Sequence, residues 1–331
     1  MPVPIILGGI AGVTALYGAI KGVKGAMDHS SANDINDNAH SMVDNANNKI
    51  NQQRESTNGV LRDYGERKLR AFNGVIAEFI DTFGRLKNVD TIHTPELEKL
   101  NLGDFSTVSL DGLRSDYELL KSSGLGLGAG LGGGAALAFG AYNGTMLLAT
   151  ASTGTAISTL GGAAATNATL AWLGGGSLAA GGGGMALGSM VLGGIVAGPA
   201  LAIFGHIVGN KGEEALNNAR SNLEQAKTVR NEANLMVGKL AAIEKVTSLA
   251  NSTFSTISSH LRRAASDLKK VLDAEGENYQ AFSAENRETV FRSVKFAQLI
   301  KAMIDTPILD QDGNLVLSTE KRLQEIKGSL A

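Results

Sequence analysis

Between Lys121 and Lys211 the chain carries no Asp, Glu, Lys or Arg. A segment this long without a charge is a solvated linker, a buried core or a stretch that meets lipid. Linkers are rich in Ser, Pro or charge so that water solvates them, whereas here Leu, Ile, Val, Met, Phe and Ala stand among glycines. A soluble all-apolar helical core meets a different obstacle. Of the 42 glycines in the chain, 25 lie between Gly124 and Gly209. Each costs about 1 kcal/mol relative to Ala inside a helix, and a whole domain is stable by only about 5–15 kcal/mol. Glycine at this density has to be offset by close packing or by lipid.

In a bilayer the backbone must satisfy its own hydrogen bonds, which favours helix, and small residues let helices approach closely. Six small-xxx-small pairs fit that use: Gly126–Gly130, Gly130–Gly134, Gly140–Gly144, Gly184–Gly188, Gly194–Gly198 and Gly205–Gly209. The block therefore reads as a membrane-inserting helical hairpin region over 122–210. It is about twice as long as two spans of roughly 20 residues require, so two long or four short spans both fit. Near its midpoint "ATNATLAW" joins polar turn residues to Trp172, the sole tryptophan. That suits the far tip of a hairpin, and an ordinary core aromatic is the competing reading. "ATASTGTAIST" supplies Thr150, Ser152, Thr153, Thr155, Ser158 and Thr159, the first candidates for lining a lumen that has no charged walls. The same residues also read as a loop between two short spans.

The flanks are polar and close to charge balance: 13 Lys and Arg against 16 Asp and Glu before Ser122, 17 against 16 after Asn210. No basic face emerges, so nucleic acid is not an expected partner. With no cysteine there is no disulfide and no thiol chemistry. The N-terminal "MPVPIILGGIAGVTALYGAIKGVKGAM" places Lys21 and Lys24 after its apolar run. A secretory signal wants basic residues before the run, so a membrane-associated segment over 1–27 is expected rather than a cleaved leader.

Apolar spacing of three, four and seven predicts helix on both sides of the block. From Asn33 to Leu86 the stripe runs through Ile35, Met42, Ala46 and Ile50, then Leu61, Tyr64, Phe72, Val75, Phe79 and Phe83. Its first half is so rich in Asn and Asp that only a narrow two-helix seam is left. After Asp90 the pattern breaks into a short helix at Thr94 and Pro95 and a loop around Asp104 to Asp111. From Glu213 to about Ala274 the stripe is continuous and free of proline, a rod of roughly 90 Å that needs the N-terminal flank as its partner. A third helix over Ala284 to Ile304 follows, and Asp312-Gly313 between apolar runs marks a small β-hairpin. Pairing of the two long helices puts them in one compartment, which requires an even number of spans.

Little in the sequence carries chemistry. "GHIVGNKGE" lacks the spacing of a phosphate-binding loop, and "DQDGN" has its glycine too early and no closing glutamate for a calcium loop. The five histidines show no metal-ligand spacing. Of these, His206 lies inside the charge-free block, where protonation could gate insertion; an interfacial histidine near Lys211 is the plainer reading. No catalytic residue, cofactor or metal is assigned.

This layout, a Gly/Ala-rich hydrophobic segment between extended helices with no enzyme motif, resembles the α-helical pore-forming proteins. They include the toxin family typified by cytolysin A and the translocators of type III secretion. The resemblance covers the order of segments and matches no individual motif. It implies a soluble, helix-packed form that hides the apolar block, followed by membrane insertion and homo-oligomerisation. The expected chain is all-α, in five parts: an apolar membrane-associated segment at 1–27, a long helix with a short helix and loop at 28–121, the Gly-rich hairpin at 122–210, a long coiled-coil helix at 211–282, and a helix, turn and tail at 283–331. A non-lytic membrane-anchored coiled-coil scaffold and a soluble assembly with the glycine block between subunits are the competing functions.

Overall fold

The computed structural model describes residues 30–89, 110–122, 139–141, 212–310 and 314–330. Helix makes up 88% of this part and no strand occurs in it, so the all-α expectation holds there. In order, α1 spans Ser30–Ala71, a π-helical turn Phe72–Ile76 and α2 Ala77–Phe83; α3 spans Leu110–Ser122, α4 Gly212–Glu275, α5 Ala284–Asp305 and α6 Thr319–Gly328. Two expectations need correction. The loop placed around Asp104 to Asp111 gives way at Leu110 to α3, and the C-terminal tail contains α6. Among the described residues no helix is long and apolar enough to cross a membrane.

The chain divides into two compact units, Met1–Asn58 with Gly193–Ala242, and Gly59–Leu192 with Ile243–Ala331. Both α1 and α4 contribute to each of them, because residues far apart in sequence pair along these helices.

In the first unit the seam consists of Ala39, Val43 and Ala46 against Ala226, Val229 and Ala233, edged by Met42, Ile50 and Leu223. Small side chains at three- and four-residue spacing let the two helices come close over a narrow stripe, as the Asn-rich sequence requires. Partners rise together along both helices. Asn222 donates to the Asn36 side-chain oxygen at 3.2 Å, and further on the Thr57 hydroxyl donates to the Leu240 carbonyl at 3.2 Å. The pair is therefore parallel, and α1 and α4 begin at the same end of it. Asn36 is buried and its bond to Asn222 is part-buried; such a pair selects one register, since slipping it would leave the buried amide unpaired.

The second unit is built around α5. Its residues from Phe296 to Ile304 are all buried, so the C-terminal half of this helix is enclosed on every side rather than amphipathic. Ser283 caps its start by accepting from the Asn286 amide at 3.2 Å. The Tyr64 ring of α1 meets Phe254 of α4 edge-on at 6.0 Å. α4 stops at Gly276, whose φ of 82° is the left-handed conformation that favours glycine just past a helix. Beyond α2, Arg85 reaches Asp273 and Glu277, at 2.9 and 3.3 Å. There the Lys87 amide donates to the Glu277 carbonyl at 2.8 Å, over a cluster of Leu86, Leu268, Leu272, Tyr279, Phe282 and Val290. The partners again rise together, so the pairing in this unit is also parallel.

The C-terminal hairpin reduces to one antiparallel bridge, Leu309 with Leu315. Residues 311–313, including Asp312-Gly313, lie outside the described residues. Beyond the bridge, Leu317 is 92% exposed and α6 starts at Thr319, which leaves no length for a strand.

Because the chain has no cysteine, the parallel register can be read by cross-linking. Asn36→Cys with Asn222→Cys should join through a short bis-maleimide, whereas Asn36→Cys with Leu240→Cys should not; the reverse outcome means antiparallel helices.

Candidate functional site: a clasp on the charge-free block

Of the block's singled-out residues, Gly140 alone is described. Gly126, Gly130, Gly134, Gly144, Trp172, Gly184, Gly188, Gly194, Gly198, Gly205, Gly209 and the polar run from Thr150 to Thr159 lie outside the described residues, as do 1–27 and His206. Residues 139–141 form a helical turn, fully within the second unit, and all three are buried. Each of them is held in a different way.

At Phe139 the hold is polar and aromatic together. Its carbonyl accepts a hydrogen bond from the Lys68 ammonium at 3.0 Å, and its ring packs edge-on against Phe72 at 6.1 Å. At Gly140 the hold is steric. A Cβ there would drive into the Leu61 carbonyl and sit 3.1 Å from the Gly65 amide nitrogen, so only glycine allows the two backbones to meet. At Ala141 the carbonyl accepts from both the Ile308 and Leu309 amides, each at 2.9 Å. Three hydrogen bonds worth about 0.5–1.5 kcal/mol each thus pin a turn that has no polar side chain of its own.

Lys68 is the unexpected member. It is fully buried, and its nitrogen lies 4.3 Å from the centre of the Tyr64 ring and 5.6 Å from that of Phe139. No carboxylate is recorded within ion-pair distance of it among the described residues. Burial pulls its pKa down from 10.5 to about 7, with the field of Asp305 opposing the drop. Tyr64 is equally buried, which raises the pKa of its phenol. Its hydroxyl donates to the Met303 carbonyl at 3.4 Å.

Asp305 is committed elsewhere. Lys301 of α5 contacts its two oxygens at 2.5 and 2.7 Å and Asp116 of α3 at 3.1 Å. Gly112 leaves room for the lysine stem, since a Cβ there would stand 3.1 Å from it. Burial lowers the Lys301 pKa, but the two carboxylates outweigh it and hold the group above its usual range. For Asp116, burial prevails over the lysine and raises the carboxyl. This triad fastens α3, the last helix before the charge-free block, to the central helix.

The clasp was not singled out in the sequence, though a trace of it was there. The apolar stripe steps from Leu61 and Tyr64 to Phe72, and the skipped slot between them is Lys68. Among the described residues no group of His, Asp and Glu side chains is placed to hold a metal ion. Comparison with known proteins finds no family model, no curated protein and no solved structure that matches the chain.

Three outcomes are expected. Gly140→Val should destabilise the second unit by about 1–3 kcal/mol through overpacking, measured by denaturant unfolding. Lys301→Met should cost roughly 3–5 kcal/mol, because it leaves buried carboxylate unpaired. The third concerns pH. Between about 7 and 10.5 the unfolded chain holds a proton on Lys68 that the folded chain lacks, so stability is fully present above 10.5 and is lost as pH falls to about 7. Wild type minus Lys68→Met should show this as a slope approaching about 1.4 kcal/mol per pH unit, flattening below neutrality.

Proposed function

We propose that this chain is a membrane-inserting, oligomerising α-helical protein that permeabilises a lipid bilayer. The observation that carries the reading is the parallel pairing in the first unit. Asn36 lies beside Asn222, so α1 and α4 start at one end of their pair. The two longest charge-free runs of the sequence, Val3–Ile20 and the block that closes at Lys211, lead into those two helix starts. Two apolar segments delivered to one end of a polar helical scaffold is the arrangement a membrane-directed protein needs, and a soluble core has no use for it.

The rest of the mechanism follows from composition and from the clasp. Before insertion, the block is tied to the scaffold at 139–141 through backbone carbonyls, a glycine contact and the Phe139 ring, which release without breaking a covalent bond or an ion pair. On meeting lipid, the glycine-rich hairpin exchanges that packing for bilayer and for copies of itself, with glycine pairs such as Gly194–Gly198 giving close helix contact. Thr150, Ser152, Thr153, Thr155, Ser158 and Thr159 line the water-facing side of the resulting pore. The buried stripe of α4, spaced mostly three and four apart from Ala226 to Leu268 with a longer step from Ala233 to Leu240, acts as a coiled-coil stem together with α1.

The test joins flotation with dye release from sealed liposomes. Leakage with co-flotation is expected, and Gly194→Leu or Gly198→Leu should keep flotation while lowering leakage. Flotation without leakage would assign the chain to a membrane-anchored scaffold. A stable particle that neither floats nor leaks would assign the glycine block to a soluble subunit interface and end the membrane reading.

A further inference from the structure

We infer that the Lys68 clasp is a proton-operated release for the 139–141 turn of the charge-free block, opening as the medium acidifies. This names the regulation of the function proposed above and rests on that reading for its biological use, while the clasp itself can be tested alone.

The geometry supplies the reason. The Lys68 nitrogen bonds a single backbone carbonyl, that of Phe139, at 3.0 Å and is otherwise bounded by the Tyr64 and Phe139 rings. The carbonyl and the two ring faces attract an ammonium, but the nitrogen is fully buried and has no described carboxylate in contact, so the charged form loses more hydration than these contacts return and gains by reaching water. The amine holds the 139–141 turn through the Phe139 carbonyl. Opening that turn hydrates the ammonium, so protonation and release are linked.

The neighbouring ionisable groups do not remove this liability. On α1 itself, Arg67 donates to Asn251 and Ser255 of α4, at 2.5 and 3.4 Å, and Tyr64 is held neutral by burial. From α5, Asp305 acts on Lys68 through its field but is engaged by Lys301, which also holds Asp116 of α3. Still on α4, Phe254 faces Tyr64, and His260 lies stacked against Phe296 of α5 at 4.9 Å. The 308–309 turn offers backbone amides. With Lys68 brought to about 7 inside the clasp, the equilibrium for opening moves across the neutral range and then levels off in acid.

Hydrogen–deuterium exchange reads the clasp directly, because the Ile308 and Leu309 amides are protected by the Ala141 carbonyl. After correction for intrinsic chemistry, their opening constant in the full-length protein should rise about tenfold between pH 8 and pH 6 and plateau below. Lys68→Met should show no such rise, and Lys68→Arg, which stays charged, should be open at both pH values; far-ultraviolet circular dichroism checks that both remain helical. An unchanged tenfold rise in Lys68→Met overturns the inference. A flat wild-type profile overturns it outright.

Dye release from vesicles of equal parts phosphatidylcholine and phosphatidylglycerol separates this from the functional reading. Leakage that grows in acid for wild type and not for Lys68→Met supports both. Equal leakage from both proteins at every pH keeps the membrane reading and overturns the switch. A pH-dependent clasp with no leakage from either supports the switch and removes the membrane reading.

Discussion

The Lys68 amine holds a turn that has no polar side chain of its own. Phe139, Gly140 and Ala141 offer a scaffold only backbone carbonyls, a small-residue surface and an aromatic edge, and the clasp uses all three. Phe139 gives its carbonyl to Lys68, Gly140 lets the backbones touch, and Ala141 takes two amides from the 308–309 turn. α5 is buried all round from Phe296 to Ile304, and the Lys301 triad locks α3 where the block departs. A hold made of hydrogen bonds worth about 1 kcal/mol each can be undone by one change of protonation, which a packed core of large side chains would resist.

The parallel relation of α1 and α4 is the second constraint. Helices joined by a short loop run antiparallel; parallel neighbours need a long return. Here the return is the stretch that contains the charge-free block, so the sequence's least soluble segment also carries the connection between two polar helices.

How much of this the sequence revealed depends on how local the cause was. α4 and α5 were legible to within a residue or two, Glu213 to Ala274 against Gly212–Glu275 and Ala284 to Ile304 against Ala284–Asp305. Their stripes are continuous, and Ser283 and Gly276 mark their ends. α3 escaped because "LDGLRSDYELLKS" carries a glycine inside and an aspartate, Asp116, on its buried face; that face makes sense only once Lys301 is opposite. α6 escaped because Leu323 and Ile326 are nearly its only buried apolar residues. The π-helical turn at Phe72–Ile76 likewise answers to packing rather than to propensity. Lys68 shows the limit most clearly. A lysine among helical polar residues reads as solvated, and only the approach of Phe139, 71 positions away in sequence, turns it into a buried amine. Of the glycines in the small-residue pattern only Gly140 is described, and it meets the backbone of Leu61 and Gly65.

The central claim is that the charge-free block leaves its scaffold for lipid, and the chain carries its own reporter. Trp172 is the sole tryptophan and lies inside the block. Its fluorescence should be recorded in vesicles whose acyl chains carry bromine. Blue-shifted emission with strong quenching on vesicle addition is the predicted result; emission unchanged by brominated lipid while the protein is bound to the vesicles would contradict the account.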